Sequence, residues 1–288
     1  MNKMSKYALL LAFAILTTAN VTAQIIKRQN HELSVYLGGG FSTLQYDLDL
    51  GTHKNGMGLQ AGGSYAYFFL PSLGLRTGLE IAQYRANATL KDFADQYDVL
   101  GTSANGNYTY SYFLGKYYET QQALYLNIPL MLQFQTNRKL KFYAALGGKV
   151  GFPLKAIAKT TKYEVSANGY FPAEGRTYDD LPQYGFGAYE YLKRKIGLDN
   201  YKQYYMLSAE LGLKWKILEK NDLYTGFYVD YGLGNIQNTN DKTFVTGSLS
   251  AEKPKVSPLV ESEIGGTPFT DKIIPMAVGL KLRFSFNR

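Results

Sequence analysis

Ile273-Ile-Pro-Met-Ala-Val-Gly-Leu-Lys-Leu-Arg-Phe-Ser-Phe286 decides the fold of this 288-residue chain. From Ile274 onward every second residue is large and apolar: Ile274, Met276, Val278, Leu280, Leu282, Phe284 and Phe286. Between them stand Ala277, Gly279, Lys281, Arg283 and Ser285. Successive side chains of a β-strand point to opposite faces, so the segment has one continuous apolar face backed by a small and cationic one. A strand crossing a bilayer turns such a face to lipid and needs only about 9 to 11 residues to do so.

Seven earlier segments repeat the pattern. Glu32 to Tyr46 sets Leu33, Val35, Leu37 and Phe41 against Ser34, Gly38, Gly40 and Ser42. Met57 to Leu70 presents Leu59, Ala61, Tyr65, Tyr67 and Phe69 on one face, and Gly74 to Tyr84 alternates Leu75, Leu79 and Ile81 with Arg76, Gly78 and Glu80. Gln122 to Gln135 has the longest aliphatic row, Leu124 through Phe134 at every second position. Lys141 to Ile157, Met206 to Ile217 and Leu223 to Ile236 complete the set. Three connections are short turns, at Pro71-Ser72, Asn137-Arg138 and Lys220-Asn221-Asp222. The others, Asp47 to Gly56, Arg85 to Gln121, Ala158 to Tyr205 and Gln237 to Lys272, are long. Short turns at one end and long loops at the other describe an all-β, up-and-down antiparallel transmembrane barrel, with periplasmic turns and extracellular loops.

Eight strands are expected. Asn107 to Phe113 and Lys162 to Tyr170 also alternate, which leaves ten as the alternative; being tyrosine-rich rather than aliphatic, they suit hairpin extensions above the membrane. Tyr189 to Ile196, with Leu192 and Ile196 four apart, reads as a short loop helix.

The N-terminus fits export. Lys3 and Lys6 precede an apolar run from Tyr7 to Leu16, and Val21-Thr-Ala23 is a small-residue cleavage site, so residues 1–23 are expected to be a removed signal peptide and 24–288 the barrel. The run is too short to span a bilayer as a helix. With no Cys in the chain, neither a lipid anchor nor disulfides are expected. Mean hydropathy of −0.23 looks soluble, but alternation dilutes the average of a barrel; 26 Tyr, 16 Phe and 29 Gly with one Trp suit one. Without Lys3 and Lys6, 29 of the 31 basic residues remain against 23 acidic ones. That modest positive excess favours outer-membrane lipid and lipopolysaccharide as partners. No dense basic patch or recognition motif points to nucleic acid.

By the same alternation Arg76, Glu80, Lys149, Glu210, Lys214, Asp230, Lys281 and Arg283 face the lumen. The interior of an eight-stranded barrel is about wide enough for side chains to fill, so these charges either pair and plug it or line a narrow solute path. Catalytic groups are sparse. His31 precedes the first strand, and His53 lies in the first loop near Asp47 and Asp49, where it would need a nucleophile motif that is absent, so no enzyme is expected. No metal or other cofactor is expected either; Asp179, Asp180 and Asp199 are loop carboxylates, and Asn87-Ala-Thr89 and Asn107-Tyr-Thr109 are chance-prone glycosylation triplets. Tyr46, Tyr67, Phe68, Tyr84, Tyr117, Tyr118, Tyr204, Tyr205 and Trp215 sit near strand ends and read as an interfacial girdle. Tyr108, Tyr110, Tyr112, Tyr170, Tyr178, Tyr184, Tyr189 and Tyr191 lie beyond it, for partner or glycan contact or for packing between loops.

Three stretches, Tyr125-Leu-Asn-Ile-Pro-Leu-Met-Leu132, Tyr143-Ala-Ala-Leu-Gly-Gly-Lys-Val-Gly-Phe-Pro-Leu154 and Val278-Gly-Leu-Lys-Leu-Arg-Phe284, resemble the PorT-like outer-membrane β-barrel proteins typical of Bacteroidetes. Phe286, two residues from the end, also looks like the terminal aromatic that barrel-assembly machinery reads. The resemblance implies a bacterial outer-membrane barrel and carries no catalytic content. The resemblance carries no function across; the residues themselves lead to the expectation of a structural or interaction role with a largely side-chain-filled interior, with a small-solute channel or a component of a secretion or surface-assembly complex as alternatives.

Overall fold

The computed structural model describes residues 30–48, 50–101, 106–136, 141–198, 201–218, 220–237, 241–247 and 253–287. The expected leader, Asp49, Asp199 and the Asn137-Arg138 turn lie outside the described residues.

Eight strands form the barrel: β1 (His31–Gln45), β2 (Met57–Leu70), β3 (Leu73–Val99), β4 (Tyr108–Gln135), β5 (Lys141–Thr160), β6 (Tyr204–Leu218), β7 (Asn221–Gly232) and β8 (Ile274–Asn287). Each pairs antiparallel with the next. β8 then returns to β1, with Leu33 opposite Phe286 and Gln45 opposite Ile274, so the ring of eight closes. Closure leaves no unpaired backbone edge in the spanning part, which hydrocarbon would not tolerate. The seam depends on glycine: a Cβ on Gly279 would fall 2.2 Å from the Gly39 carbonyl oxygen, and one on Gly40 would fall 2.3 Å from that of Val278.

Outward rows are apolar and exposed, among them Leu37, Leu59, Leu130, Leu146, Leu211 and Leu280. That is the lipid-facing band the alternation requires.

The strands are far from equal in length. β3 and β4 run 27 and 28 residues and stay paired out to Val99 opposite Tyr108, more than twice what a crossing needs. The two stretches that raised the count to ten are extensions of this kind: Asn107 to Phe113 opens β4, and Tyr163–Phe171 continues β5 in one register against β4, Thr160 opposite Glu119 and Val165 opposite Leu114. Along its far side run Gly187–Tyr191 and Arg194–Gly197, pairing Tyr191 with Tyr163 and Arg194 with Thr160. The helix expected over Tyr189 to Ile196 is therefore extended chain. Its four-residue apolar spacing is accidental, because Leu192 is 70% exposed while Ile196 pairs within the sheet.

Above the membrane the molecule is thus one-sided. β3, β4, β5 and the strand pieces before β6 rise as a curved wall, while β1, β2, β7 and β8 stop low; β7 ends at Gly232, short of the expected Ile236. The segment between β7 and β8 fills the open side. Lys242–Thr243 pairs with Ser262–Glu263, Val245–Thr246 pairs with Lys255–Val256, and Leu259–Glu261 forms a single 3-10 turn. Phe244, Val245, Val256, Leu259 and Phe269 are buried against the wall.

Candidate functional site

The inward face of the spanning region is where chemistry-bearing residues converge. All eight charges expected in the lumen are buried there. Lys149 on β5 reaches across to Glu80 on β3 at 2.9 Å and to Asp230 on β7 at 2.8 Å. Glu210 on β6 holds Arg76 and Lys281, both at 2.7 Å, and Lys281 lies 3.7 Å from Glu80, which joins the two groups. Tyr36 and Asn127 donate to the Glu80 carboxylate, and Ser208 donates to Asp230 at 2.6 Å. A buried charge is tolerable only when paired and hydrogen-bonded, and these are.

Two members escaped the sequence reading. Lys214, near the periplasmic end, pairs with Glu32 of β1 and, at 3.1 Å, with Asp222 of β7. Tyr224 donates to the other Glu32 oxygen at 2.6 Å. The expected set held five cations against three carboxylates; Glu32 and Asp222 make the buried spanning charges five and five among the described residues. Arg283 has a different partnership. Its guanidinium lies 3.8 Å from the Tyr224 ring centroid and 5.3 Å from that of Tyr143, and its NH1 nitrogen donates to Gln133 Oε1 at 2.8 Å. The same oxygen accepts from Arg76 at 3.0 Å, so one amide ties two arginines.

Between these side chains, a cavity of about 10 Å³ remains, bounded by Tyr36, Ser64, Arg76, Glu80, Pro129, Lys149, Glu210, Lys281 and Arg283. That is about the space of one water-sized sphere. Above it Tyr84, Tyr125 and Tyr204 form an aromatic layer; Tyr84 and Tyr204 share a 3.0 Å hydroxyl contact, and Tyr204 donates to Asn127 at 2.6 Å. Gly151 makes room for this layer, since a Cβ there would meet the Tyr204 ring at 2.3 Å.

Higher still, the wall and the β7–β8 segment enclose a second core. Tyr108, Tyr110, Tyr112 and Tyr191 are buried in it, and Tyr178, Tyr184 and Tyr189 pack against it; of the eight loop tyrosines only Tyr170 is exposed. Packing between loops accounts for the burial of four of them and holds Tyr178, Tyr184 and Tyr189 half-buried. The girdle needs a matching correction. Tyr67, Tyr205 and Trp215 do face outward, but Tyr46, Phe68, Tyr84, Tyr117 and Tyr204 are inside, because strand parity, and not nearness to a strand end, decides the face.

Glu119 anchors the cap at its base. It is fully buried and accepts from Gln121 at 2.7 Å, from the Leu259 amide at 3.1 Å and from the Tyr117 hydroxyl. Burial pushes its carboxyl above the usual range, with the nearby Glu261 adding to the shift.

His53 packs on Tyr46, ring centroids 4.4 Å apart, with Nε2 3.1 Å from the Leu44 carbonyl. Burial lowers its basicity. His31 lies against Tyr65 and Tyr67 at the periplasmic rim. Asp179 and Asp180 are exposed, and among the described residues no three of His, Asp and Glu converge on a common point. Asn87 accepts from Thr120 within the sheet, and Asn107 accepts from the Gly101 amide.

Three solved proteins are similar to this chain at low identity. Ail, the attachment invasion locus protein of Yersinia pestis, solved with the heparin analogue sucrose octasulfate, is 14% identical with a TM-score of 0.30, over 89% of this chain and 99% of that one. Neisserial surface protein A is 10% identical with a TM-score of 0.32, over 89% and 96%. A major outer membrane protein from Thermus thermophilus is 13% identical with a TM-score of 0.35, over 89% and 99%. No curated protein matches the sequence. The sequence does match the outer membrane protein beta-barrel domain over residues 22–238, most of its length. This chain belongs to the outer membrane protein β-barrel domain family.

Proposed function

We propose that this chain is a closed barrel with a structural or interaction role in the bacterial outer membrane, and neither a solute channel nor an enzyme. The observation that carries the reading is the lumen: ten paired or stacked charges occupy it, the cavity bounded by Arg76, Glu80, Lys149, Glu210, Lys281 and Arg283 holds about 10 Å³, and an aromatic layer lies above. A hydrated ion needs a continuous path wider than one water, and that cavity holds about one. His53, the loop histidine a hydrolytic reading would need as base, is engaged with Tyr46 and the Leu44 carbonyl.

The finer reading is a PorT-like barrel, exported by a leader over residues 1–23 and in contact with lipopolysaccharide through its outer face. The three stretches that resemble that family lie on β4, β5 and β8. Membership in a secretion or surface-assembly complex is the second reading, favoured by the tall one-sided wall, which offers a partner more surface than a barrel needs to cross the membrane.

Reconstitution into planar bilayers tests the first reading: no stepwise conductance is expected, and steady single-channel currents from folded protein would overturn it. Crosslinking in intact cells followed by mass spectrometry tests the second. Recovery of the chain free of any protein partner would exclude the complex.

A further inference from the structure

The outer face of the tall wall carries a feature that neither the lumen nor the cap explains. Going up each of its four strands, inward and outward residues alternate until one level, where two successive residues face outward: Lys91-Asp92, Gly115-Lys116, Thr161-Lys162 and Leu192-Lys193. Asp92, with φ +48, marks the slip on β3. Past it the inward set resumes with Phe93, Leu114, Tyr163 and Tyr191. Every strand therefore places an outward lysine at the same break in the pleat.

Register then sets like charges face to face. Lys91 is directly opposite Lys116, and just below the slip Lys159 is directly opposite Lys195. Directly opposed residues share a face with Cβ atoms about 5 Å apart, and like charges there are destabilising. None of the four makes an ion pair among the described residues, whereas the neighbouring Lys162 takes Glu190 at 2.6 Å. Lower down, Lys155 stands opposite Leu124, the last aliphatic residue of the outward row on β4, and Arg85 is opposite Gln122 with an unsatisfied Nε. Among the described residues Asp92 is the one acidic side chain between the apolar band and the slip on this face.

Just above, the same outward surface folds into a cavity of about 600 Å³, lined among others by Phe113, Lys116, Glu164, Ser166, Ala188 and Tyr189. Aromatic rings beside hydroxyl and carboxylate groups, with Lys116 and the Lys162–Glu190 pair in the same lining, suit a sugar.

We infer that this face binds the phosphorylated sugar headgroup of an outer-leaflet glycolipid, the Lys159/Lys195 and Lys91/Lys116 pairs each taking an anionic group and the cavity taking sugar. The inference rests on the lipopolysaccharide contact proposed above and names its residues. Charge complementarity fixes the ligand's sign, and height fixes its class. Lys159 lies opposite Thr120, four residues beyond Leu124, and Lys116 four further, so at about 3.3 Å per residue the pairs stand about 13 Å and 26 Å up the strand from the apolar edge. Even with a strand tilt of about 40°, the upper pair is above the 5 to 8 Å or so of a phospholipid headgroup layer. A glycolipid with phosphates on its inner sugars reaches both levels, with its acyl chains against the apolar band.

The full chain, folded in detergent micelles and incubated with bisphosphorylated lipid A, its dephosphorylated form or phosphatidylglycerol, is read by native mass spectrometry for retained lipid. Bisphosphorylated lipid A is expected to stay bound. Lys159→Gln with Lys195→Gln weakens retention by about 30-fold, taking about 1 kcal/mol for each surface charge near an anionic group. Lys91→Gln with Lys116→Gln weakens it as well, while Lys216→Gln at the periplasmic end of β6 leaves it unchanged. Because the pairs repel without ligand, both double variants melt no lower than the parent in lipid-free micelles, which separates lost binding from lost folding. Equal retention by the variants, equal retention of the dephosphorylated lipid or of phosphatidylglycerol, or displacement by inorganic phosphate overturns the proposal. The closed-barrel reading stands or falls separately, on conductance.

Discussion

The lumen and the cap sit one above the other and are packed in opposite ways. Inside the bilayer the interior is ionic, with Lys149, Lys281, Arg76 and Lys214 each held by carboxylates. Above it the interior is aromatic: Phe93, Phe244 and Phe269 lie within 6 Å of one another, and Tyr163 stacks on Tyr191 at 4.8 Å. The difference follows from what lies outside each. Where lipid surrounds the strand, apolar residues are committed outward, and a charged inner row defines register: a one-residue slip would turn Lys149 or Arg283 into hydrocarbon, at about 2–4 kcal/mol each near the midplane. Where water surrounds the wall, the cap folds as a soluble protein does, apolar inward and lysine outward.

If that contrast is right, the lumen should break as a unit and the cap piece by piece. The largest effect is expected from Lys149→Ala, which leaves Glu80 and Asp230 without the cation between them. Stranding buried charge costs about 3–5 kcal/mol, and heat-dependent mobility of the folded barrel on gels should fall accordingly. Adding Glu80→Gln and Asp230→Asn to a Lys149→Met background should recover much of the loss, since paired neutralisation removes the stranded charge. Failure to recover would mean that Lys149 acts by filling space.

In the cap, Phe244→Ala removes a fully buried ring that meets Phe93, Phe269 and Tyr117. A cost of about 3 kcal/mol is expected, confined to the cap: amide exchange should accelerate over residues 253–269 while barrel melting stays put. A matching drop in barrel melting would show that the two interiors fold as one.

How much of this was legible in the sequence depends on the same contrast. The eight crossings are readable because lipid demands a long outward apolar row, as on β4 from Leu124 to Phe134. Above the bilayer the sign inverts: on β3 the outward residues are Arg85, Asn87 and Thr89 and the inward ones Ala86, Ala88 and Leu90. A search for greasy outward rows therefore ends β3 at Tyr84 rather than Val99. Gly187–Tyr191 and Arg194–Gly197 are hidden by the parity slip at Leu192-Lys193, which imitates helical spacing. In the lumen parity found eight of the ten buried spanning charges. Glu32 and Asp222 lie at strand ends, yet both share the parity of inward neighbours, Ser34 and Tyr224, and the surplus of two cations in the expected set was itself a sign that two carboxylates were missing.

The smallest expected effect lies where the two interiors meet, at Glu119. Burial holds its carboxyl above the ordinary value in the folded protein, so over the window between the unfolded carboxylate value, about 4.3, and the raised folded one, the native state binds more proton than the unfolded state. Stability then falls as pH rises through that window and is fully present below it. The Leu259–Glu261 turn, whose Leu259 amide donates to Glu119, should therefore exchange more slowly at mildly acid pH than at neutral pH, after correction for intrinsic exchange. Glu119→Gln should flatten that slope, because an amide keeps an acceptor for Leu259 and never ionises. Lys242 and its partner Glu261 remain in both proteins, so a slope that survives the substitution removes Glu119 as the joint between ionic lumen and aromatic cap.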